Sequence, residues 1–194
     1  NSHTPEQISV TVSKAWADSN NQDGIRPNDV TVKLLANGAD TGKTLVLNQG
    51  NNWTGSFTEL DKFENGKVIT YTVEELQIEG YESVITGDQN DGYTVTNSHN
   101  PMLTEIAGSK TWNDEDNRDG IRPESITINL LANGEVIDTK VVTEADGWAW
   151  TFENLYKYEG GVEIVYTITE EAVAGYSVSY EGYNVTNSYT PKQT

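Results

Sequence analysis

The chain has 194 residues, enough for one or two domains, and carries 30 acidic against 12 basic residues for a net charge of −18. That balance argues against nucleic acid and anionic membranes as partners and suits a soluble, self-repelling surface. Cysteine is absent, so no disulfide or thiol chemistry is available, and no apolar run approaches the length of a membrane span.

In chain order, residues 10–16 read as a strand by their period-two alternation. On that phase Val10, Val12, Lys14 and Trp16 share one face, which sets a lysine inside an apolar row. An acidic loop, 18–27, leads to a strand at 30–35 with Val30, Val32 and Leu34 in phase, and Asn37-Gly38 is a strong turn signal. Strands at 44–47 and 53–57 follow, then a loop through 63–66. Residues 68–75 read as one strand with Ile69, Tyr71, Val73 and Glu75 on one face and Glu74 on the other. A segment around 81–85 and a closing strand, 93–97, with Tyr93, Val95 and Asn97 in phase, complete the unit. No stretch shows a helical period. About seven short strands with turn clusters between them is the pattern of a β-sandwich.

The whole pattern occurs twice. Lys14-Ala-Trp16, Asp23-Gly-Ile-Arg-Pro27 and Leu34-Leu-Ala-Asn-Gly38 return as Lys110-Thr-Trp112, Asp119-Gly-Ile-Arg-Pro123 and Leu130-Leu-Ala-Asn-Gly134, at an offset of 96. Tyr71-Thr-Val-Glu-Glu75 returns as Tyr166-Thr-Ile-Thr-Glu170, and Tyr93-Thr-Val-Thr-Asn-Ser98 as Tyr183-Asn-Val-Thr-Asn-Ser188, so the first copy has slightly longer loops. In the second copy Ile106, Gly108, Lys110 and Trp112 are in phase, as are Trp148, Trp150 and Phe152. Domains are expected at 6–100 and 101–194. Asn1-Ser-His-Thr-Pro5 resembles Asn97-Ser-His-Asn-Pro101 and Asn187-Ser-Tyr-Thr-Pro191, so residues 1–5 read as the tail of a preceding copy and the chain as part of a longer array.

A lone lysine in an apolar row usually snorkels out to water, and a charged residue at a strand end usually faces solvent. Here each copy aims one lysine, one glutamate and one asparagine at its own core: Lys14, Glu75 and Asn97, then Lys110, Glu170 and Asn187. A buried glutamic acid tends to keep its proton and a buried lysine to lose one. The neutral amine is then a nucleophile, and the asparagine amide offers an electrophilic carbon. A protonated carboxyl would polarise that carbon and pass protons to departing ammonia. The product is a lysine–asparagine isopeptide bond, with folding supplying the proximity. No cofactor and no metal is needed.

These motifs closely resemble the B-type repeats of collagen-binding adhesins, the CnaB-like domains of Gram-positive surface proteins and pilins. The resemblance covers essentially the whole chain, twice. It implies an all-β chain of two tandem β-sandwich domains of reversed-immunoglobulin topology, displayed extracellularly on a cell wall through parts of the protein outside this sequence. It also implies a spontaneous isopeptide bond between first and last strands: Lys14 to Asn97 with Glu75 as catalyst, and Lys110 to Asn187 with Glu170. Glu74 beside Glu75 is the one departure near the triad; strand phase and Thr169 at the matching position favour Glu75. The function so implied is a structural stalk, a monomer whose partners are neighbouring repeats, with any host matrix ligand engaged by other domains. It is not an enzyme beyond that single self-modification.

Other candidates are weaker. Asp18-Ser-Asn-Asn-Gln-Asp-Gly24 and Asp114-Glu-Asp-Asn-Arg-Asp-Gly120 look superficially like calcium loops. The glycine comes one position late, Arg118 falls where a ligand belongs, and no bidentate glutamate closes the loop, which leaves Asx-turn chemistry. Asp114 and Asp116 lack the framework of a glycosidase carboxylate pair. His3 and His99 read as linker residues at equivalent domain ends. A module binding a host matrix protein or glycan is the rival reading; it needs a cluster of exposed aromatics, and most of the tryptophans are in phase with the core. Tyr156, Tyr158, Phe63 and Tyr81 have no assigned phase.

Overall fold

The computed structural model describes residues 2–193, so Asn1 of the 1–5 stretch lies outside the described residues. The chain divides into two compact units, Asn1–Pro101 and Met102–Thr194. The first contains β1 (Gln7–Ala17), β2 (Asp29–Ala36), β3 (Ala39–Asn48), β4 (Thr54–Asp61), β5 (Phe63–Glu64), β6 (Lys67–Val68), β7 (Tyr71–Glu75), β8 (Glu82–Asp88) and β9 (Gly92–Ser98). The second repeats it with β10 (Leu103–Asn113), β11 (Ser125–Ala132), β12 (Glu135–Thr143), β13 (Ala149–Tyr156), β14 (Tyr158–Glu159), β15 (Val162–Glu163), β16 (Tyr166–Glu170), β17 (Ser177–Glu181) and β18 (Asn184–Ser188).

In each unit a four-stranded sheet faces a three-stranded one, ordered β4-β1-β9-β8 and β3-β2-β7 in the first and β13-β10-β18-β17 and β12-β11-β16 in the second. Two-residue hairpins, β5-β6 and β14-β15, stand apart. The chain is all-β, two β-sandwiches in tandem. First and last strands lie side by side and run parallel, with Trp16 opposite Asn97 and Trp112 opposite Asn187. A parallel pair cannot be closed by a tight turn, so nearly the whole domain is the connection between these two strands.

The two sheets bury one apolar layer between them. Val10, Val12 and Val95 from one sheet and Val32 and Leu34 from the other are fully buried, as are Ile128, Leu130 and Val185 in the second unit. Each such side chain contributes about 1.5–3 kcal/mol relative to exposure. Hairpin β2-β3 turns at Asn37-Gly38, both at positive φ (50° and 83°), the geometry that matches strand twist and selects Asn-Gly. One core position swaps volume between copies. Val12 faces Gly55 across β1-β4, whereas Gly108 faces Trp150 across β10-β13. A Cβ on Gly108 would sit 1.8 Å from the Tyr183 carbonyl oxygen and 2.8 Å from Trp150 Nε1, so the large residue moves to the partner strand.

Two readings of the sequence are corrected. Residues 68–75 are not one strand. Val68 pairs with Phe63 in the small hairpin, and the chain turns before Tyr71 pairs with Ala36. The break is held by Asn37 Oδ1, which accepts from the Thr70 N–H, and Gln89 Oε1, which accepts from Tyr71. Trp148 precedes β13 in a left-handed conformation (φ 53°), as Trp53 precedes β4 (φ 56°). Its side chain packs against the core from that turn and not from a strand face.

Candidate functional site

β1 carries Lys14 into the sandwich, and its position is fixed by Lys14 N–H donating to the Trp53 carbonyl at 2.8 Å. Beside it, β9 presents Asn97 two residues beyond the partner of Lys14, Val95, on the same face. Glu75 comes from the opposite sheet, as the last residue of β7, paired with Val32. All three side chains are buried: Lys14 and Glu75 at 0% and 2% side-chain exposure, and Asn97 at 0% overall. Glu74 is exposed on the outer face, opposite Lys33. The structure therefore brings Lys14, Glu75 and Asn97 together and leaves Glu74 out.

Lys14 Nζ lies 3.6 Å from Glu75 Oε1 and donates to the carbonyls of Ala15 (3.1 Å) and Val95 (3.4 Å). In the second unit Glu170 bridges the pair: Lys110 Nζ donates to its Oε2, and Asn187 Nδ2 donates to its Oε1 at 2.7 Å. Burial pushes the Lys14 amine down to about 8 despite the opposing pull of Glu75, and burial lowers Lys110 in the same way. Both amide atoms of Asn97 and Oδ1 of Asn187 are buried without a hydrogen-bond partner. An orphaned buried amide costs about 1–3 kcal/mol, an expense that points to a use. An amine with weakened hold on its proton, a carboxylate and an unpaired amide in one dry space can undergo acyl transfer.

A family model, the Cna protein B-type domain, matches residues 10–98 and 106–188. The chain belongs to that family. It is 45% identical over its full length to a collagen adhesin of Staphylococcus aureus, of which it spans 16%. Among solved structures it is similar to two B repeat units (B1B2) of the collagen binding protein of Staphylococcus aureus, with 46% identity and a TM-score of 0.82 over 97% of this chain and 51% of that one.

In both B-type domains the acidic loop is occupied by an arginine. Arg26 reaches back to Asp18 with Nε to Oδ2 (2.9 Å) and Nη2 to Oδ1 (2.5 Å), and Arg122 does the same to Asp114 (3.0 and 2.6 Å). Tyr81 and Tyr176 donate their hydroxyls to the same carboxylates. Burial alone would raise Asp18, but Arg26, the Asn21 N–H and Tyr81 outweigh it and hold the carboxyl at about 2. Each aspartate that would lead a calcium loop is thus already committed. Sequence reasoning gave Arg26, Arg122, Tyr81 and Tyr176 no role, although recurrence of the Asp-Gly-Ile-Arg-Pro motif was the available signal.

His99 departs from its reading as a linker residue. Its Nε2 meets Asp23 Oδ2 at 2.7 Å and its Nδ1 meets the Gly80 carbonyl at 2.8 Å. Two acceptors are satisfied only by the doubly protonated ring. Its pKa is accordingly raised, by Asp23 first and then the Gly80 carbonyl and the charge of Asp18, against burial. A raised folded-state pKa gives stability that is full below the unfolded value of about 6.5 and fades as pH climbs through the folded value. The second B-type domain has Tyr189 here, donating to Asp119 at 2.7 Å. The expected result is an NMR titration midpoint for His99 above that of a free histidine, and a first-domain thermal midpoint that falls from pH 6 towards alkaline pH. His99→Tyr should flatten that slope.

Proposed function

We propose that the two domains are stalk repeats of a wall-anchored surface adhesin, each closed by an isopeptide bond between its first and last strands. The observation that carries the reading is the burial, in both copies, of a lysine and an asparagine on parallel neighbouring strands beside a glutamate from the opposite sheet, with the asparagine Oδ1 left without a partner. Family membership and the collagen adhesin relative support the setting.

In the first domain the Lys14 ammonium passes a proton to Glu75, leaving a neutral amine beside a neutral acid. Nζ attacks Cγ of Asn97 while the Glu75 proton is donated to Oδ1, steadying the developing charge. A proton leaving Nζ is carried by the carboxyl to Nδ2; the Cγ–Nδ2 bond breaks and ammonia departs. The carbonyl reforms and returns its proton to Glu75. Lysine has lost hydrogen, asparagine has lost its amide nitrogen, and the carboxyl stays as the acid formed in the first transfer. Lys110, Glu170 and Asn187 take the same parts in the second domain. Proteolysis followed by tandem mass spectrometry should recover two branched peptides, one joining Lys14 to Asn97 and the other Lys110 to Asn187. Linear peptides alone, with free Lys14 and Asn97, would contradict the reading.

A further inference from the structure

The Asp-Gly-Ile-Arg-Pro motif has no part in the crosslinking chemistry itself, yet it builds the same object in both domains. Trp16 is half-buried beside Lys14, whose Nζ lies 4.1 Å from the indole centroid, and the Arg26 guanidinium carbon lies over the same ring at 5.1 Å. Trp53 and Tyr81 meet that ring edge-on at 5.3 and 5.2 Å. In the second domain Lys110 and Arg122 lie over Trp112 at 4.4 and 5.3 Å. The arginine is held by the bidentate grip on a buried aspartate described above. The loop leading to it is strained: Ser19, Asn20 and Asn21 are left-handed in succession (φ 53–58°), as are Glu115, Asp116 and Asn117 (φ 52–57°). Such conformations are costly for residues with a side chain and persist only where surrounding contacts over-determine them. Asn21 supplies one such contact, its N–H donating to Asp18 Oδ1 and its Oδ1 accepting from Arg26 N–H; Asn117 repeats both.

Resting on the crosslink reading, we propose that the Asp18–Arg26 and Asp114–Arg122 clamps are positioning devices for bond formation, pressing Trp16 and Trp112 as lids over the reacting amines. The lid keeps water off the lysine and fixes its approach to the amide. The planar fork of arginine matters because it grips both carboxylate oxygens at once while lying flat on the indole. The charged groups facing Lys14 are Glu75 on β7, and Asp18 and Arg26 from the loop. Loss of the lid admits water, and the amine pKa returns towards its ordinary value.

The test is the rate of ammonia loss in the 194-residue chain, recovered unfolded from inclusion bodies and refolded by dilution. Intact mass is followed against time, with the branched peptides assigning each bond to its domain. Arg26→Gln and Arg26→Lys should both slow the Lys14–Asn97 bond by on the order of tenfold to a hundredfold, the usual cost of misplacing a reacting group. The untouched Lys110–Asn187 bond serves as internal control. Tryptophan fluorescence on the same samples reports folding, so a slow bond in a domain folded at the parental rate separates positioning from stability. The alkaline limb of the rate against pH should move upward in both variants. A parental rate in both, or full rescue by Arg26→Lys with loss only in Arg26→Gln, would overturn the clamp, the latter outcome because charge alone would suffice. Slow bonds that follow slow folding would overturn it as well. Ammonia loss absent from the parent chain would remove the reaction, and the proposal with it.

Discussion

Lys14→Ala is expected to restore a full-domain unfolding step under force and to lower the first domain's thermal midpoint by roughly 20 °C or more. Tension enters a B-type domain along its first strand and leaves along its last. With Lys14 joined to Asn97 the load passes from β1 to β9, and the 82 residues between them carry none. Treated as a disulfide of that span, the bond stabilises by about 4–5 kcal/mol through the unfolded chain, a figure that depends on the entropic model. Without the lysine, Glu75 is left buried with no cation beside it, which adds its own penalty. Asn97→Ala separates the two contributions, since it removes the bond and keeps the Lys14–Glu75 pair. Atomic-force pulling of the two-domain chain is the check. The parent should show no extension of domain length, and each variant should show one. Equal force and extension in parent and variants would overturn the mechanical account.

Glu75→Ala should abolish one bond and leave a folded domain. In the proposed reaction the carboxylate carries the proton, yet Val10, Val12, Val32, Leu34 and Val95 build the core independently of it. Lys14, already pushed towards neutrality by burial, tolerates the loss of its partner by shedding its proton. Intact mass should show a deficit of about 17 Da, one ammonia, where the parent shows two. Glu74→Ala should retain both bonds, because that side chain points to solvent. If Glu74→Ala loses a bond and Glu75→Ala does not, the wrong carboxylate has been assigned.

The inward placement of the three side chains was legible from strand phase alone. Lys14, Glu75 and Asn97 each sit in phase with apolar neighbours, and a period of two leaves little freedom about which way they point. The second copy made coincidence implausible. What stayed hidden depends on contacts distant in sequence or on unusual backbone. The turn at Ile69 and Thr70 is imposed by Asn37 and Gln89, far from it along the chain. The grip of Arg26 on Asp18 comes with three consecutive left-handed residues, whereas residue preference signals that conformation only one position at a time. His99 looked like a linker residue because its partners, Asp23 and Gly80, lie in two separate loops.

The most direct test of the crosslinked stalk is the mass of the purified, unmutated chain under denaturing conditions. Two lysine–asparagine bonds expel two molecules of ammonia, so it should weigh about 34 Da less than its sequence requires. A mass equal to the sequence would contradict crosslinking in both domains, and a deficit of about 17 Da would confine it to one.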